Sequence, residues 1–159
     1  MIWPALDRIA YFIATAGFVG RFPVAPGTAG SVAGVAFYAL LRFAGGWELE
    51  AIALVATFVL GIWSATVAER LLGSKDPGPV VIDEVLGILI TFAFLDLNVA
   101  GALVGFLLFR AFDVIKPYPA GRLEILPVGF GVMMDDAMAA LYSHAALRLL
   151  VIAVPGWFD

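Results

Sequence analysis

Two pairs of adjacent carboxylates stand at the margins of apolar segments. One is Asp83-Glu84, inside Val80-Val81-Ile82-Asp83-Glu84-Val85-Leu86-Gly87, and the other is Asp135-Asp136. Ionisable groups at the edge of a hydrocarbon layer are costly to keep and mark functional sites by default. Two to four carboxylates facing one another, with oxygen ligands only, suit Mg²⁺, which retains several waters and often a substrate phosphate. Neighbours on a helix point about 100° apart. One member of each pair is therefore expected to face the site, with Asp83 slightly preferred over Glu84. Acids also favour helix N-termini, which accounts for one acid per helix better than for two.

Cations accompany these acids. Arg110, Asp113 and Lys116 recur at i, i+3 and i+6, so they share one broad helix face, where they could equally form a salt-bridge ladder. Upstream, Ala25-Pro26-Gly27-Thr28-Ala29-Gly30-Ser31 follows Arg21 and leads into a helix. Free N–H groups, the Thr28 and Ser31 hydroxyls and the positive helix end form a cradle for phosphate. A Pro-Gly turn capped by Ser or Thr is also an ordinary helix start. Together, cations and N–H groups for phosphoryl oxygens and carboxylates for a metal fit phosphate chemistry. There is no cysteine and a single histidine, His144, so cysteine nucleophiles and two-histidine mechanisms are excluded. His144 lies about 12 Å along its helix from Asp136 and is expected to be a hydrogen-bonded packing residue.

The elements that must position these residues are membrane helices. Of the 159 residues, 63% are hydrophobic and 14% charged, with a mean hydropathy of +1.03. A soluble domain of this size carries about 25% charged residues. The chain is therefore expected to be an all-α integral membrane protein, one domain over residues 1–159. It should form a bundle of about five transmembrane or partly spanning helices. The net charge of −4 and the lack of a basic run speak against a nucleic-acid partner. The N-terminus has no basic start, so a cleaved signal peptide is not expected.

Residues 1–18 carry Ile2, Leu6, Ile9 and Ile13 at helical spacing, too short to span, which predicts an interfacial or re-entrant helix. The apolar segments follow as Ser31 to Phe43, Leu49 to Leu72, Ile82 to Leu95, Val99 to Ile115 and Val132 to Val154. Pro117 and Pro119 end the fourth, and residues 121–131, with Arg122, Glu124 and Pro127, read as a loop. Gly30/Gly34 and Gly101/Gly105 have small-xxx-small spacing, which lets membrane helices approach closely. Trp3, Trp47, Trp157 and Phe158 read as interface anchors. Alternate crossings bring Arg21, Asp83-Glu84, Arg110 to Lys116 and Asp135-Asp136 to one face. Seven of the nine Lys and Arg residues fall on that side, which marks it as cytoplasmic. Glu48, Glu50, Asp96 and Asp159 fall on the other side and are expected to be solvated. The first and third segments are shorter than the roughly 20 residues of a full span, so their polar ends could sink into a pocket.

Four motifs, in order over nearly the whole chain, resemble those of the phosphatidylglycerophosphatase A family. They are Phe22-Pro-Val-Ala-Pro-Gly-Thr-Ala-Gly-Ser31, Val81-Ile-Asp-Glu-Val-Leu-Gly87, Arg110-Ala-Phe-Asp-Val-Ile-Lys-Pro117 and Gly131-Val-Met-Met-Asp-Asp136. The resemblance implies a Mg²⁺-dependent phosphatase of the bacterial inner membrane that converts phosphatidylglycerophosphate, an anionic phospholipid, to phosphatidylglycerol and phosphate. By position, Asp83, Glu84, Asp113, Asp135 and Asp136 are the implied catalytic acids, with Asp83, Glu84 and Asp136 as metal ligands. Arg21, Thr28, Arg110 and Lys116 are the implied phosphate-binding residues, joined by Ser31 from the cradle. A metal-activated water with a carboxylate base, or an aspartyl-phosphate intermediate, is compatible with these residues. The alternatives are a small proton-coupled transporter, whose acids form a relay, and a non-catalytic membrane subunit whose charges cap helices.

Overall fold

The computed structural model describes residues 3–123, 125–154 and 156–158. Ile2, Glu124 and Asp159, named above, lie outside this set. The described residues form seven α-helices and no strand: α1 (Ala5–Ala14), α2 (Pro26–Ala44), α3 (Trp47–Leu72), α4 (Ile82–Phe92), α5 (Val99–Ile115), α6 (Ala120–Leu123) and α7 (Val128–Ala153), with a 3₁₀ turn at Val19–Arg21. Three are long and apolar enough to cross a bilayer, namely α2, α3 and α7. At 17 residues α5 reaches the lower limit of about 17 for a span. The chain is an all-α membrane protein.

Two helices begin earlier than their apolar runs suggest. Pro26 occupies the first position of α2, where its fixed φ fits and its missing N–H is not needed. Gly27 to Ser31 are therefore the opening turns of a 19-residue helix, and the expected loop ends at Ala25. Likewise α7 starts at Val128, four residues before the apolar run, and Ala120–Leu123 forms a helical turn within the expected loop.

The short helix α4 is the axis of the bundle. Nine of its 11 residues are buried, as befits a helix apolar on all sides. It packs against α2, α3, α5 and α7. A Cβ on Gly30 would stand 2.6 Å from Val81 Cβ, and one on Gly34 2.9 Å from Ile88 Cβ. The small-residue stripe thus brings α2 against α4 at near-backbone contact. On the interfacial helix α1, Leu6, Ile9 and Phe12 are exposed. The Ala14 carbonyl at its end accepts a 2.9 Å hydrogen bond from the Val81 N–H and fixes where α4 begins.

At 11 residues α4 is about 16 Å long, roughly half of a hydrocarbon core of about 30 Å. Its ends therefore lie within the depth of the bundle, where the protein itself must satisfy the backbone. At the C-terminal end it does so with side chains. His144 Nδ1 donates to the Thr91 carbonyl at 3.2 Å, the Tyr38 hydroxyl donates to Leu95, and Glu50 Oε1 accepts from the Phe94 N–H at 2.9 Å. This corrects the expectation of a solvated Glu50: it is 1% exposed, because the end of α4 draws it inward. Arg42 lies 3.7 Å from Glu50 and also pairs with Asp96, which is exposed as expected. Phe158 is a second correction. It is buried, and its carbonyl accepts from the Asn98 N–H at 3.0 Å, which ties the chain's end to the start of α5. Trp47 and Trp157 are exposed.

Candidate functional site

The N-terminal end of α4 is built differently. Asp83 and Glu84 occupy its first turn, and both face Asp136 of α7. One oxygen from each of the three lies within 4.8 Å of the others. The expectation of one inward acid per pair fails here. The longer Glu84 side chain spans the angle between successive residues, and the helix has only just begun. Asp83 Oδ1 and Glu84 Oε2 are buried without a hydrogen-bond partner. Three carboxylates this close repel one another, and burial adds a desolvation cost, so protons or a cation must compensate.

The opening turn of α2 closes one wall. A Cβ on Gly27 would fall 2.3 Å from Glu84 Oε1, so only glycine lets the helix start approach that carboxylate. Ala25, held in the left-handed region at φ 49°, turns the chain into this position. Gly27 is the residue that motif reading undervalued. A glycine just inside a helix start, where it weakens the helix, was the available signal.

Arg110 links three elements. Its guanidinium is 2.8 Å from Asp113, 3.3 Å from Ser31 Oγ and 4.0 Å from Glu84 Oε1. Ser31 Oγ in turn donates to the Gly27 carbonyl at 3.0 Å. Asp113 is near enough to Asp136 and Glu84 to repel both. The Arg110–Asp113–Lys116 ladder is half formed. Lys116, in the left-handed conformation that ends α5, reaches across to Asp135 Oδ2 at 2.5 Å. Asp135 Oδ1 accepts from the Asp136 N–H at 3.0 Å. The second pair is thus divided, with Asp136 in the carboxylate cluster and Asp135 holding Lys116.

Two expected residues stand apart from this cluster. Arg21 is exposed on the 3₁₀ turn with its guanidinium over the Phe18 ring at 5.9 Å. Thr28 is exposed on α2, beside Ala25 and Val32, and only its position in the first turn associates it with the cluster. Among the described residues, the five acids with Arg110 and Lys116 gather at the N-terminal end of α4, Arg42, Glu50 and Asp96 at its C-terminal end, and His144 is engaged with a backbone carbonyl. That arrangement lacks the chain of ionisable groups a transmembrane proton relay requires.

Oxygen-only donors, two of them orphaned, fit a hard divalent cation such as Mg²⁺ better than a softer metal that prefers imidazole or thiolate. Five carboxylates, Asp83, Glu84, Asp113, Asp135 and Asp136, meet two cations, Arg110 and Lys116. A phosphate dianion would enter such a field only with a further cation beside it.

Residues 12–151 match the family model described as phosphatidylglycerophosphatase A. A protein from Bacteroides thetaiotaomicron, provisionally named a phosphatidylinositol-3-phosphatase, is 39% identical over 89% of this chain and 90% of its own length. Phosphatidylglycerophosphatase A of Haemophilus influenzae is 36% identical over 87% of this chain and 83% of its own. The enzyme of that name from Escherichia coli is 32% identical over 82% and 77%. No solved structure matches.

Proposed function

The chain belongs to the phosphatidylglycerophosphatase A family and is a lipid phosphatase, and from that premise we propose that it hydrolyses phosphatidylglycerophosphate to phosphatidylglycerol and phosphate in a Mg²⁺-dependent reaction. The observation that carries the metal and the site is the trio of buried Asp83 and Asp136 with half-buried Glu84, beside Arg110. We place the site at the cytoplasmic face of a bacterial inner membrane, because alternation of the apolar segments assigns seven of the nine basic residues to this end.

Asp83, Glu84 and Asp136 would hold the Mg²⁺, which when bound supplies Lewis acidity toward a phosphoryl oxygen and lowers the proton affinity of water. The residues do the rest. Arg110, held by Asp113 and Ser31, has donors to spare for a phosphoryl oxygen and stabilises the charge that develops there. The Gly27 and Thr28 N–H groups, in the first turn of α2, add the positive end of that helix to the attraction for an anion. Asp113, within reach of Arg110 and Asp136, accepts the proton of the attacking water. Asp135 keeps Lys116 at the rim, where it screens an incoming anionic headgroup.

A single turnover in ¹⁸O-water tests the mechanism. On a phosphorothioate ester made chiral with ¹⁶O and ¹⁷O, inversion at phosphorus supports direct attack, whereas retention, from two successive displacements, overturns it in favour of an aspartyl-phosphate. A phosphatidylinositol phosphate is the second substrate reading, favoured by the name of the Bacteroides relative. Parallel assays on the two lipids decide between them: faster hydrolysis of the inositol lipid overturns the first.

A further inference from the structure

One face of α5 carries Val99, Ala102, Leu103, Phe106 and Arg110 at spacings of three, one, three and four, a single stripe along the helix. The facing stripe of α2 runs from Ser31 through Val35 to Arg42. The two helices are bridged at the site by Arg110 and Ser31. They leave an open groove of about 300 Å³ lined by Val32, Val35, Val99, Ala102, Leu103 and Phe106, all apolar. At its far end it runs into a hollow of about 610 Å³ that reaches Arg42, Asp96 and Asn98. Val32 is 56% and Leu103 58% exposed, so the groove is open sideways.

We propose that this groove seats one fatty-acyl chain of the phospholipid whose phosphate is held at Arg110, an inference that rests on the lipid-phosphatase reading. Its polar head and apolar floor lie on the same helical stripes, with the lipid's glycerol–phosphodiester linker between the phosphate at Arg110 and the chain in the groove. From Phe106 to Val99 the apolar floor runs about 10 Å along the helix, within the roughly 15 Å depth of one leaflet. Sideways opening admits the chain directly from the bilayer.

Photo-cross-linking of the wild-type protein tests the placement. The probe is phosphatidylglycerophosphate with a diazirine midway along one acyl chain. Adducts on Val35, Ala102, Leu103 or Phe106 that unlabelled lipid suppresses are expected. Adducts spread equally over Ile52, Val55 and Val59 of α3, or no adduct in the groove, overturn the proposal in favour of annular lipid or a second copy. A kinetic comparison separates packing from binding. Ala102→Trp should lower kcat/KM for the diacyl lipid by about tenfold, the equivalent of fewer than two buried methylenes. Turnover of the deacylated headgroup, glycerophosphoglycerol phosphate, should stay unchanged, and Val55→Trp should alter neither. Equal loss on both substrates, or no loss on either, overturns the groove assignment. Wild-type protein inert on both substrates overturns the lipid-phosphatase reading instead, while normal hydrolysis with unselective cross-linking overturns the groove alone.

Discussion

The two ends of α4 meet the same problem and answer it in opposite ways. Both lie inside the bundle, and both gather ionisable side chains around a helix terminus. At the C-terminal end, Tyr38, Glu50 and His144 each engage a backbone group that the helix has left open. Arg42 stands beside the one buried acid. At the N-terminal end, three carboxylates face one another, and two of their oxygens have no protein partner. At the C-terminal end Glu50 Oε2 also lacks a hydrogen bond, but it has the Arg42 cation beside it and its other oxygen holds the backbone, whereas three facing carboxylates of like charge call for protons or a cation. The difference teaches where a buried charge is structural and where it is poised for chemistry.

Substitutions can break that comparison, and the largest effect is expected at the N-terminal end. Asp83→Asn and Asp136→Asn should each lower kcat by about 10³-fold or more, measured as phosphate release. Their thermal midpoints without metal should be unchanged or higher, because a repelling charge is gone. If the cluster acts as a unit, the double variant should be little worse than either single one. Gly27→Ala comes next. Its methyl group would displace the Glu84 carboxylate, so turnover should fall roughly tenfold or more, as misplaced site groups cost, with membrane insertion intact. At the other end the signs reverse. Glu50→Ala should destabilise the protein by about 1–3 kcal/mol by orphaning the Phe94 N–H, read as a lower unfolding midpoint in detergent. Activity per folded molecule should be unchanged, and a catalytic loss would erase the distinction between the ends. The smallest effect is expected for Arg21→Ala, within about threefold of wild type as for an exposed side chain away from the site.

How much of this could be read from residue order depends on which kind of contact made the feature. Alternation of apolar segments and turns was enough to bring Asp83, Arg110 and Asp136 to one end, since chain direction alone requires it. The start of α2 was hidden because Pro26 and Gly27 carry loop composition, and the reason for Gly27 is a carboxylate more than 50 positions away. Glu50 looked like a solvated turn residue because its partner, the Phe94 N–H, belongs to a helix end 44 residues distant. The division of Asp135 from Asp136 was legible as a rule about helix faces, but the choice depended on Lys116 reaching across from α5. Asp83 and Glu84 broke that rule at a helix start, where side-chain length outweighs the 100° step.

The claim that the carboxylate end is a metal–phosphate site is tested most directly by phosphate release from phosphatidylglycerophosphate in detergent micelles, with chelator and then with added Mg²⁺. The account predicts no release with chelator, full recovery on adding Mg²⁺, and no recovery for Asp83→Asn. Release that proceeds at the same rate in chelator would contradict it.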